Sequence, residues 1–267
     1  QVNVMMKTNP DPVVLAKAMK ARKSVVQIYH VKKIDGKKCT TSSGTGFIIK
    51  TRDADCVVVT NRHVTAGKEP FDEANDKLFV RFIRGSGGVE DRPGLLRFYD
   101  FFVDLAFIEV QGLRGKMPPA LRFTMASELQ IGTSVVAIGY CNTSGVTRPD
   151  PDMPEVYARI PSVCPALIAG PVWRKGEDDK DEEEEDDEEE DEDEGHEQWL
   201  HLDSPSRDGC SGGPVMCARG VIGVVAQAAL QITASVSTES VHEVLKRWLG
   251  IPLEDDRSVQ AIIDTLL

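Results

Sequence analysis

The sequence of 267 residues lacks any apolar run long enough to cross a bilayer, and it contains no repeat of solenoid period. The pattern therefore predicts neither a membrane-spanning helix nor a stacked-repeat architecture. Aromatic residues make up only 6% of the chain, whereas glycine and proline are plentiful. Hydrophobic residues make up 41%, which lets the chain bury one substantial core or two smaller ones, as expected of a soluble globular protein.

Positive charge is scarce in one segment and ordinary elsewhere. Between Glu177 and Glu194 lie 17 acidic residues and a single lysine, a local charge of −16 in a chain whose net charge is −12. The rest of the chain carries 30 basic and 26 acidic residues and is therefore mildly basic. The charges of the acidic run repel one another and it has nothing apolar to bury. Residues 176–195 are therefore predicted to be a disordered insertion.

Three roles are open for this acidic run. It steers basic protein segments towards an active cleft, or it holds a neighbouring loop inactive until a cation or basic partner binds, or it is an insertion without a role. His196 and His201 follow the run but lack the tight spacing of metal ligands, so no metal site is predicted there.

The six cysteines are scattered along the chain, at positions 39, 56, 141, 164, 210 and 217, without the dense pattern of a disulfide-stabilised scaffold. Several lie in or beside apolar stretches, where a buried thiol is common. We therefore expect mostly reduced cysteines, and a reducing intracellular compartment is favoured. No secretory signal is visible, although the chain begins at Gln1 rather than at a methionine.

The order of predicted elements divides the chain into four parts. Residues 1–23 hold an amphipathic helix with Pro12 at its first position, and residues 238–267 hold two further helices. Short β-rich runs fill residues 24–115 and 116–237, and a proline-bearing stretch joins them. Short strands at this spacing predict an all-β body built as barrels or sandwiches.

A glycine-rich segment around one serine carries the strongest chemical signal. In Gly209-Cys210-Ser211-Gly212-Gly213-Pro214 the glycines permit a tight turn that exposes the serine hydroxyl and directs backbone N–H groups beside it. An acyl-transfer nucleophile needs an accessible oxygen next to donors that stabilise a developing oxyanion. Taken alone, the segment is equally consistent with an ordinary glycine-rich turn.

Two upstream residues supply the remaining chemistry. His63 follows the apolar run 56–61, which places an imidazole at the end of a predicted strand, where a general base can be held rigidly. Asp104 opens the apolar run 104–110, and a carboxylate there either caps the strand or holds a histidine tautomer. Considered singly, His63 would be interpreted as a solvated loop histidine, so the prediction depends on the set.

The ordered set resembles trypsin-fold serine proteases, most closely the high-temperature-requirement (HtrA or Deg) branch, over about Val13 to Leu249. The matching segments are Ser43-Gly44-Thr45-Gly46-Phe47-Ile48-Ile49, Val59-Thr60-Asn61-Arg62-His63-Val64, Asp104-Leu105-Ala106, Leu129-Gln130-Ile131-Gly132 with Val135-Val136-Ala137-Ile138-Gly139, Asp203, and the serine segment with Val221-Ile222-Gly223-Val224. The chain order His, Asp, Ser separates this resemblance from unrelated folds that reach the same triad in other orders.

The resemblance implies an all-β fold of two packed antiparallel β-barrels with the active site between them. It implies that Ser211 is the nucleophile, His63 the general acid/base and Asp104 its orienting partner. The N–H groups of Gly209 and Ser211 would form the oxyanion hole. The implied reaction is peptide-bond hydrolysis through an acyl-enzyme, without a metal or cofactor. Few residues follow Leu249, so the PDZ module of that branch is not expected in this chain.

The sequence departs from the family pattern at two positions. Cys210 stands where the HtrA branch has asparagine and digestive enzymes have aspartate, so no activation by a newly freed amino terminus is predicted. As a nucleophile Cys210 is disfavoured, because the paired glycines follow Ser211 instead. Pro205 replaces the acid that selects basic side chains in trypsin. A pocket for a small or aliphatic side chain is predicted instead, lined by Val225, Ala226 and Ala228.

Two other functions are open on the sequence alone. A protease fold whose oxyanion loop stays collapsed would be a catalytically silent binding module, and the acidic run would suit a chaperone for basic proteins. The expected partners are protein or peptide substrates, including basic segments. Formation of a homo-oligomer is open, whereas binding to nucleic acid or to a membrane is not predicted.

Overall fold

The computed structural model of the chain describes residues 11–34, 37–66, 70–84, 88–127, 129–141, 160–170, 173–174, 198–204, 208–229 and 232–267. The acidic run, His196 and Pro205 lie outside these ranges. The predictions made for them therefore concern residues that the structure does not describe. No helix within the described ranges is long and apolar enough to span a membrane.

The described residues of the first half form six antiparallel strands. They are β1 (Val25–Ile34), β2 (Lys37–Arg52), β3 (Asp55–Asn61), β4 (Asp76–Ile83), β5 (Val89–Asp100) and β6 (Leu105–Val110). The strands close into a barrel in the order β1-β2-β3-β6-β5-β4. Strands β3 and β6 are buried almost throughout, whereas buried residues alternate along β4 because one of its faces meets solvent.

In the second half, the strands that the structure describes form one seven-stranded sheet. Its strands are β7 (Ser134–Gly139), β8 (Ser162–Leu167), β9 (Trp173–Arg174), β10 (Gln198–Leu202), β11 (Pro214–Met216), β12 (Val221–Ala229) and β13 (Ile232–Ser237). The described strands follow the order β8-β7-β11-β12-β13-β10-β9 and form a half-barrel rather than a closed one. The predicted all-β fold with two packed antiparallel units is confirmed.

Among the described residues, four short α-helices border the strands, and their ends follow the capping chemistry of the sequence. Helix α1 (Pro12–Ala21) begins with Pro12, and the Asp11 carboxylate accepts hydrogen bonds from the first backbone N–H groups. Helix α2 (Arg62–Ala66) directly follows β3. Helix α3 (Thr238–Leu249) is capped by Ser237 and ends at Gly250, whose φ of 64° is left-handed. Helix α4 (Val259–Ile263) begins after Ser258, which caps it.

The two halves share one hydrophobic core. Phe47 and Phe107 of the barrel belong to the same buried cluster as Ile138 and Val224 of the second sheet. Each half also keeps a separate apolar cluster of its own. Burying one large apolar side chain contributes about 1.5–3 kcal/mol, so the shared cluster fixes the position of one half against the other.

The six cysteines differ in how far they are exposed. All six lie in the described part of the chain, and none is in a disulfide. Cys39 is exposed, Cys164 is half-buried and the other four are buried. Burial raises the pKa of the Cys56 thiol to about 12, so this thiol stays protonated inside the barrel.

Candidate active site

His63 lies at the first turn after a buried strand. Strand β3 ends at Asn61, and the chain enters α2 at Arg62, so the imidazole projects from the rim of the barrel. The Thr65 hydroxyl donates a hydrogen bond to the Arg62 carbonyl at 2.7 Å and closes this short turn. The side chain of His63 is 42% exposed, which leaves the ring accessible to solvent. The sequence predicts the strand end correctly, and the structure adds the helix.

Asp104 lies in the turn between β5 and β6, one residue before the strand that it was predicted to open. Its φ of 59° is left-handed, a conformation that aspartate adopts more readily than most residues. Two hydrogen bonds hold its carbonyl, one from the Arg62 N–H at 3.1 Å and one from Asn61 Nδ2 at 3.0 Å. These bonds from the end of β3 stabilise a backbone conformation that would otherwise be strained.

Both carboxylate oxygens of Asp104 contact His63. Oδ2 lies 2.6 Å from the ring Nδ1, and Oδ1 accepts the His63 backbone N–H at 2.9 Å. A carboxylate only accepts hydrogen bonds, so Nδ1 carries the ring proton in this pair. The neutral imidazole therefore keeps the lone pair on Nε2, which is the arrangement a general base needs.

Ser211 lies on a glycine-rich loop, residues 208–213, which we call the nucleophile loop. Gly209 and Gly212 have φ values of 89° and 85°, both left-handed. At Gly212 a Cβ atom would overlap the carbonyl oxygen of Thr45, and at Gly213 it would overlap that of Ile138. Only glycine lets the loop turn this tightly and pack this closely against both halves of the molecule.

Backbone hydrogen bonds fasten the nucleophile loop to β12. The Gly212 N–H donates to the Val225 carbonyl at 2.7 Å, and the Val225 N–H donates back to the Gly213 carbonyl at 2.8 Å. Within the loop the Gly213 N–H donates to the Cys210 carbonyl at 2.9 Å. The loop is therefore anchored on its carboxyl-terminal side by strand pairing.

The Ser211 hydroxyl donates to the Ala226 carbonyl at 3.2 Å. Within the described residues it makes no hydrogen bond to His63. The side chain is half-buried at the surface of the loop. A rotation about its Cα–Cβ bond is the movement that would take the oxygen from Ala226 towards another acceptor.

Cys210 faces away from the surface that Ser211 presents. Only 4% of Cys210 is exposed, and it belongs to the apolar cluster of the second half. A Cβ atom at Gly139 would lie 3.2 Å from the Cys210 sulfur, so the thiol packs against the end of β7. A buried thiol in apolar surroundings is a poor nucleophile.

The residues predicted to line a substrate pocket lie along β12. Val225 and Ala226 are 1% and 3% exposed and belong to apolar clusters, and Ala226 also supplies the carbonyl that accepts the Ser211 hydroxyl. The side chain of Ala228 is outside the described part. Their role as pocket lining stays a prediction. No cluster of His, Cys, Asp and Glu among the described residues could hold a metal ion.

Thr45 and Asn61 contribute contacts that the sequence did not assign to the site. Thr45 of β2 donates its N–H to the Ser211 carbonyl at 2.8 Å, and Asn61 supports the Asp104 carbonyl as described above. Both residues are part of the motif segments quoted from the sequence, between glycines for Thr45 and two residues before His63 for Asn61. Their position in these segments was the available signal, but only the fold shows what they contact.

Comparison with known proteins gives one assignment. No curated protein sequence matches the chain. A model of the trypsin-like peptidase domain family matches residues 44–225, about two thirds of the chain. The match begins in β2, ends in β12 and contains His63, Asp104 and Ser211. The architecture and the family match agree, and the chain belongs to the trypsin-like peptidase domain family.

Proposed function

We propose that the chain is a serine endopeptidase in which Ser211 is the nucleophile, His63 the general acid/base and Asp104 the residue that orients the imidazole. The observation that carries the proposal is the double contact between Asp104 and His63, which fixes both the ring and its tautomer. Membership of a peptidase family supports hydrolysis of protein or peptide substrates.

The first half of the proposed reaction forms an acyl-enzyme. Ser211 Oγ turns from the Ala226 carbonyl towards His63, and Nε2 takes its proton as Oγ bonds to the substrate carbonyl carbon. The carbonyl oxygen becomes an oxyanion, for which the N–H groups of Gly209 and Ser211 are the proposed donors. His63 then gives the proton to the leaving amine as the C–N bond breaks.

The second half repeats these proton transfers with water. His63 removes a proton from a water molecule that attacks the acyl carbon, and the same oxyanion donors stabilise the second tetrahedral intermediate. The ester bond to Ser211 breaks, its oxygen recovers the proton from His63, and the carboxylic acid product leaves. Asp104 stays ionised throughout and stabilises the imidazolium that forms twice in each cycle.

The finer assignments are part of the same proposal. The motif segments around Thr45, His63 and Asp104 support a position near the HtrA branch of the fold. The buried thiol of Cys210 supports Ser211 rather than Cys210 as the nucleophile. The acidic run between Glu177 and Glu194 would attract basic substrate segments, and cleavage of such substrates should then slow as salt rises.

A fluorophosphonate probe tests the proposal without a known substrate. Wild-type protein should be labelled at Ser211, as located by mass mapping, because the probe reacts with an activated serine hydroxyl. Ser211→Ala should abolish labelling, whereas Cys210→Ala should retain it. Folded wild-type protein that is not labelled under any condition would favour the silent binding module, and a label on Cys210 would move the nucleophile to the thiol.

A further inference from the structure

Thr45 connects the first barrel to both sides of the nucleophile residue. It lies in β2 and is fully buried. Its hydroxyl donates to the Gly209 carbonyl at 2.6 Å, and its backbone N–H donates to the Ser211 carbonyl at 2.8 Å. One residue of the first half therefore holds the two carbonyl groups that flank Cys210 in the second half.

The remaining polar groups of Thr45 are also occupied. Its hydroxyl oxygen accepts the Tyr140 N–H at 2.8 Å, and its carbonyl accepts the Thr60 hydroxyl at 2.7 Å. Tyr140 and Thr60 are both buried. Since every donor and acceptor of Thr45 has a partner, rotation of its side chain would leave buried polar groups unpaired.

The direction of the hydroxyl proton follows from its partners. A peptide N–H only donates and a peptide carbonyl only accepts, so the Thr45 hydroxyl must accept from Tyr140 and donate to Gly209. The three groups form a chain in which each hydrogen bond polarises the next. The Thr45 hydroxyl of β2 therefore joins Tyr140, at the end of β7, to Gly209 of the nucleophile loop through two hydrogen bonds of fixed direction.

The loop needs such a link on its amino-terminal side. Pairing with β12 anchors Gly212 and Gly213, but Gly209 is a glycine with a left-handed φ and has wide conformational freedom of its own. Flipping the peptide between Gly209 and Cys210 would break the bond to Thr45. The hydroxyl therefore favours one orientation of the segment that carries the proposed oxyanion donors.

We propose that Thr45 is a positioning residue for catalysis: its hydroxyl holds the nucleophile loop in the conformation in which the N–H groups of Gly209 and Ser211 converge beside the serine oxygen. The inference rests on the proposed function, and it adds a third residue of the first barrel, besides His63 and Asp104, to those that support catalysis at Ser211. Thr45 acts through the loop and does not touch the substrate.

Saturation kinetics with the fluorophosphonate probe test this role. Thr45→Val keeps the shape of the side chain but removes the hydroxyl. The maximal labelling rate constant of Ser211 should fall by about 10- to 100-fold, because small displacements of oxyanion donors are costly. The probe concentration at half-saturation should change little. Thr45→Ser, which restores the hydroxyl, should recover the rate to within about threefold of wild type.

Thr238→Val is the matched control. Thr238 is also fully buried, and its hydroxyl donates to the Val221 carbonyl at 3.4 Å, away from the nucleophile loop. This variant should keep the wild-type labelling rate. An equal loss of rate in Thr238→Val and Thr45→Val would assign the effect to general destabilisation and overturn the proposal. So would a wild-type rate in Thr45→Val.

Amide hydrogen exchange separates failure of this inference from failure of the proposed function. The Gly213 N–H donates to the Cys210 carbonyl, next to the peptide that Thr45 holds, whereas the Gly212 N–H donates to β12. In Thr45→Val the Gly213 amide should exchange about tenfold faster or more, with no such change in Thr45→Ser or Thr238→Val. This measurement decides the role of Thr45 even if wild-type protein is not labelled. Unchanged exchange in Thr45→Val would overturn the inference. If Thr45→Val does not fold, Thr45→Cys takes its place in both experiments. Because a thiol is a weak hydrogen-bond donor, this variant should also label more slowly and exchange faster than wild type.

Discussion

The two halves of the candidate site are built in different ways. In the first half His63 and Asp104 are held by contacts that begin and end within one closed barrel, where β3 and β6 pair side by side. In the second half the nucleophile loop is fastened on one side by β12 and on the other by Thr45, which belongs to the first half. The proposed general-base pair is held by contacts within one barrel, although the turn that carries Asp104 also bonds to Arg247 of α3 through Asp100. The loop that carries Ser211 is held by both halves.

This difference predicts where substitutions act. A change within the base unit should alter chemistry with little effect on folding, because the barrel supports the backbone around it. A change at the contact between the halves should alter stability and reactivity together, because the same atoms pack the two halves and hold the nucleophile loop. Two variants with matched controls test this comparison, and a third variant tests how the stability of the second half depends on pH.

The largest effect is expected at Asp104. Asp104→Asn keeps the size of the side chain, and asparagine also tolerates the left-handed φ at this position. The amide would present an N–H group to Nδ1 and favour the wrong tautomer of His63. The rate constant for labelling of Ser211 should fall about 10³- to 10⁴-fold, while the unfolding free energy stays nearly constant. Probe kinetics and chemical denaturation measure the two quantities.

Asp100→Asn is the control for that variant. Asp100 stands at the start of the same turn, but its carboxylate accepts from Arg247 at 2.8 Å and from the Val103 N–H at 2.8 Å rather than from a histidine. Because the Asp100 carboxylate is buried, the variant should lose about 1–3 kcal/mol of stability, but it should label at a rate near wild type. Equal losses of rate in the two variants would mean that the turn, and not the tautomer, sets the activity.

An intermediate effect is expected at the contact between the halves. In Gly212→Ala the new methyl group would overlap the Thr45 carbonyl oxygen, and the left-handed φ adds strain. The unfolding free energy should fall by about 2–5 kcal/mol, and labelling of Ser211 in the remaining folded protein should fall about 100-fold. Denaturation curves and probe kinetics on the same sample give both numbers.

Gly132→Ala isolates the backbone contribution. Gly132 has a φ of 83°, nearly that of Gly212, but no atom lies within 4 Å of the position of an added Cβ. This variant should lose only about 1–2 kcal/mol and label normally. If Gly212→Ala behaves no worse than Gly132→Ala, the close approach of the two halves does not support the site.

The smallest effect concerns stability in acid. His242 lies in α3, which packs on β12 and β13 of the second half. Burial, and then the nearby charge of Lys246, lower the pKa of His242 below its ordinary value of 6.5. The unfolded chain therefore takes up a proton first as the pH falls, so stability is full above about pH 6.5 and declines below it.

His242→Gln should remove that part of the decline. The unfolding free energy should drop less between pH 7.5 and pH 5.5 in the variant than in wild type, as measured by denaturation at both pH values. Labelling of Ser211 at pH 7.5 should be retained. A steeper decline in the variant would contradict the assigned direction of the pKa shift.

The sequence predicted the helices and strands that are specified by residues close together in the chain. Apolar runs, caps and glycine positions are enough to place α1, α3 and the strands around His63 and Ser211. The order of the motif segments is enough to predict the all-β fold of two packed units. These features depend on residues close together in the chain, whose pattern a reader of the sequence can see.

The structure adds contacts that no local pattern contains. Thr45 and Gly209 are 164 positions apart, and nothing near either residue in the sequence specifies their hydrogen bond. Asp104 was predicted to open a strand, but it lies in the preceding turn because its carbonyl is held by the end of β3. Long-range pairing decides both details, and only the folded chain brings these groups together.

The apolar cluster that contains both Phe47 and Val224 has a consequence for dissection of the protein. Cutting the chain between β6 and β7 would expose the apolar residues of this cluster in each fragment. The fragment that carries Ser211 would also lose Thr45, which holds the nucleophile loop. We expect neither piece to be useful as a minimal domain. Reassembly of the two fragments would have to precede any return of activity.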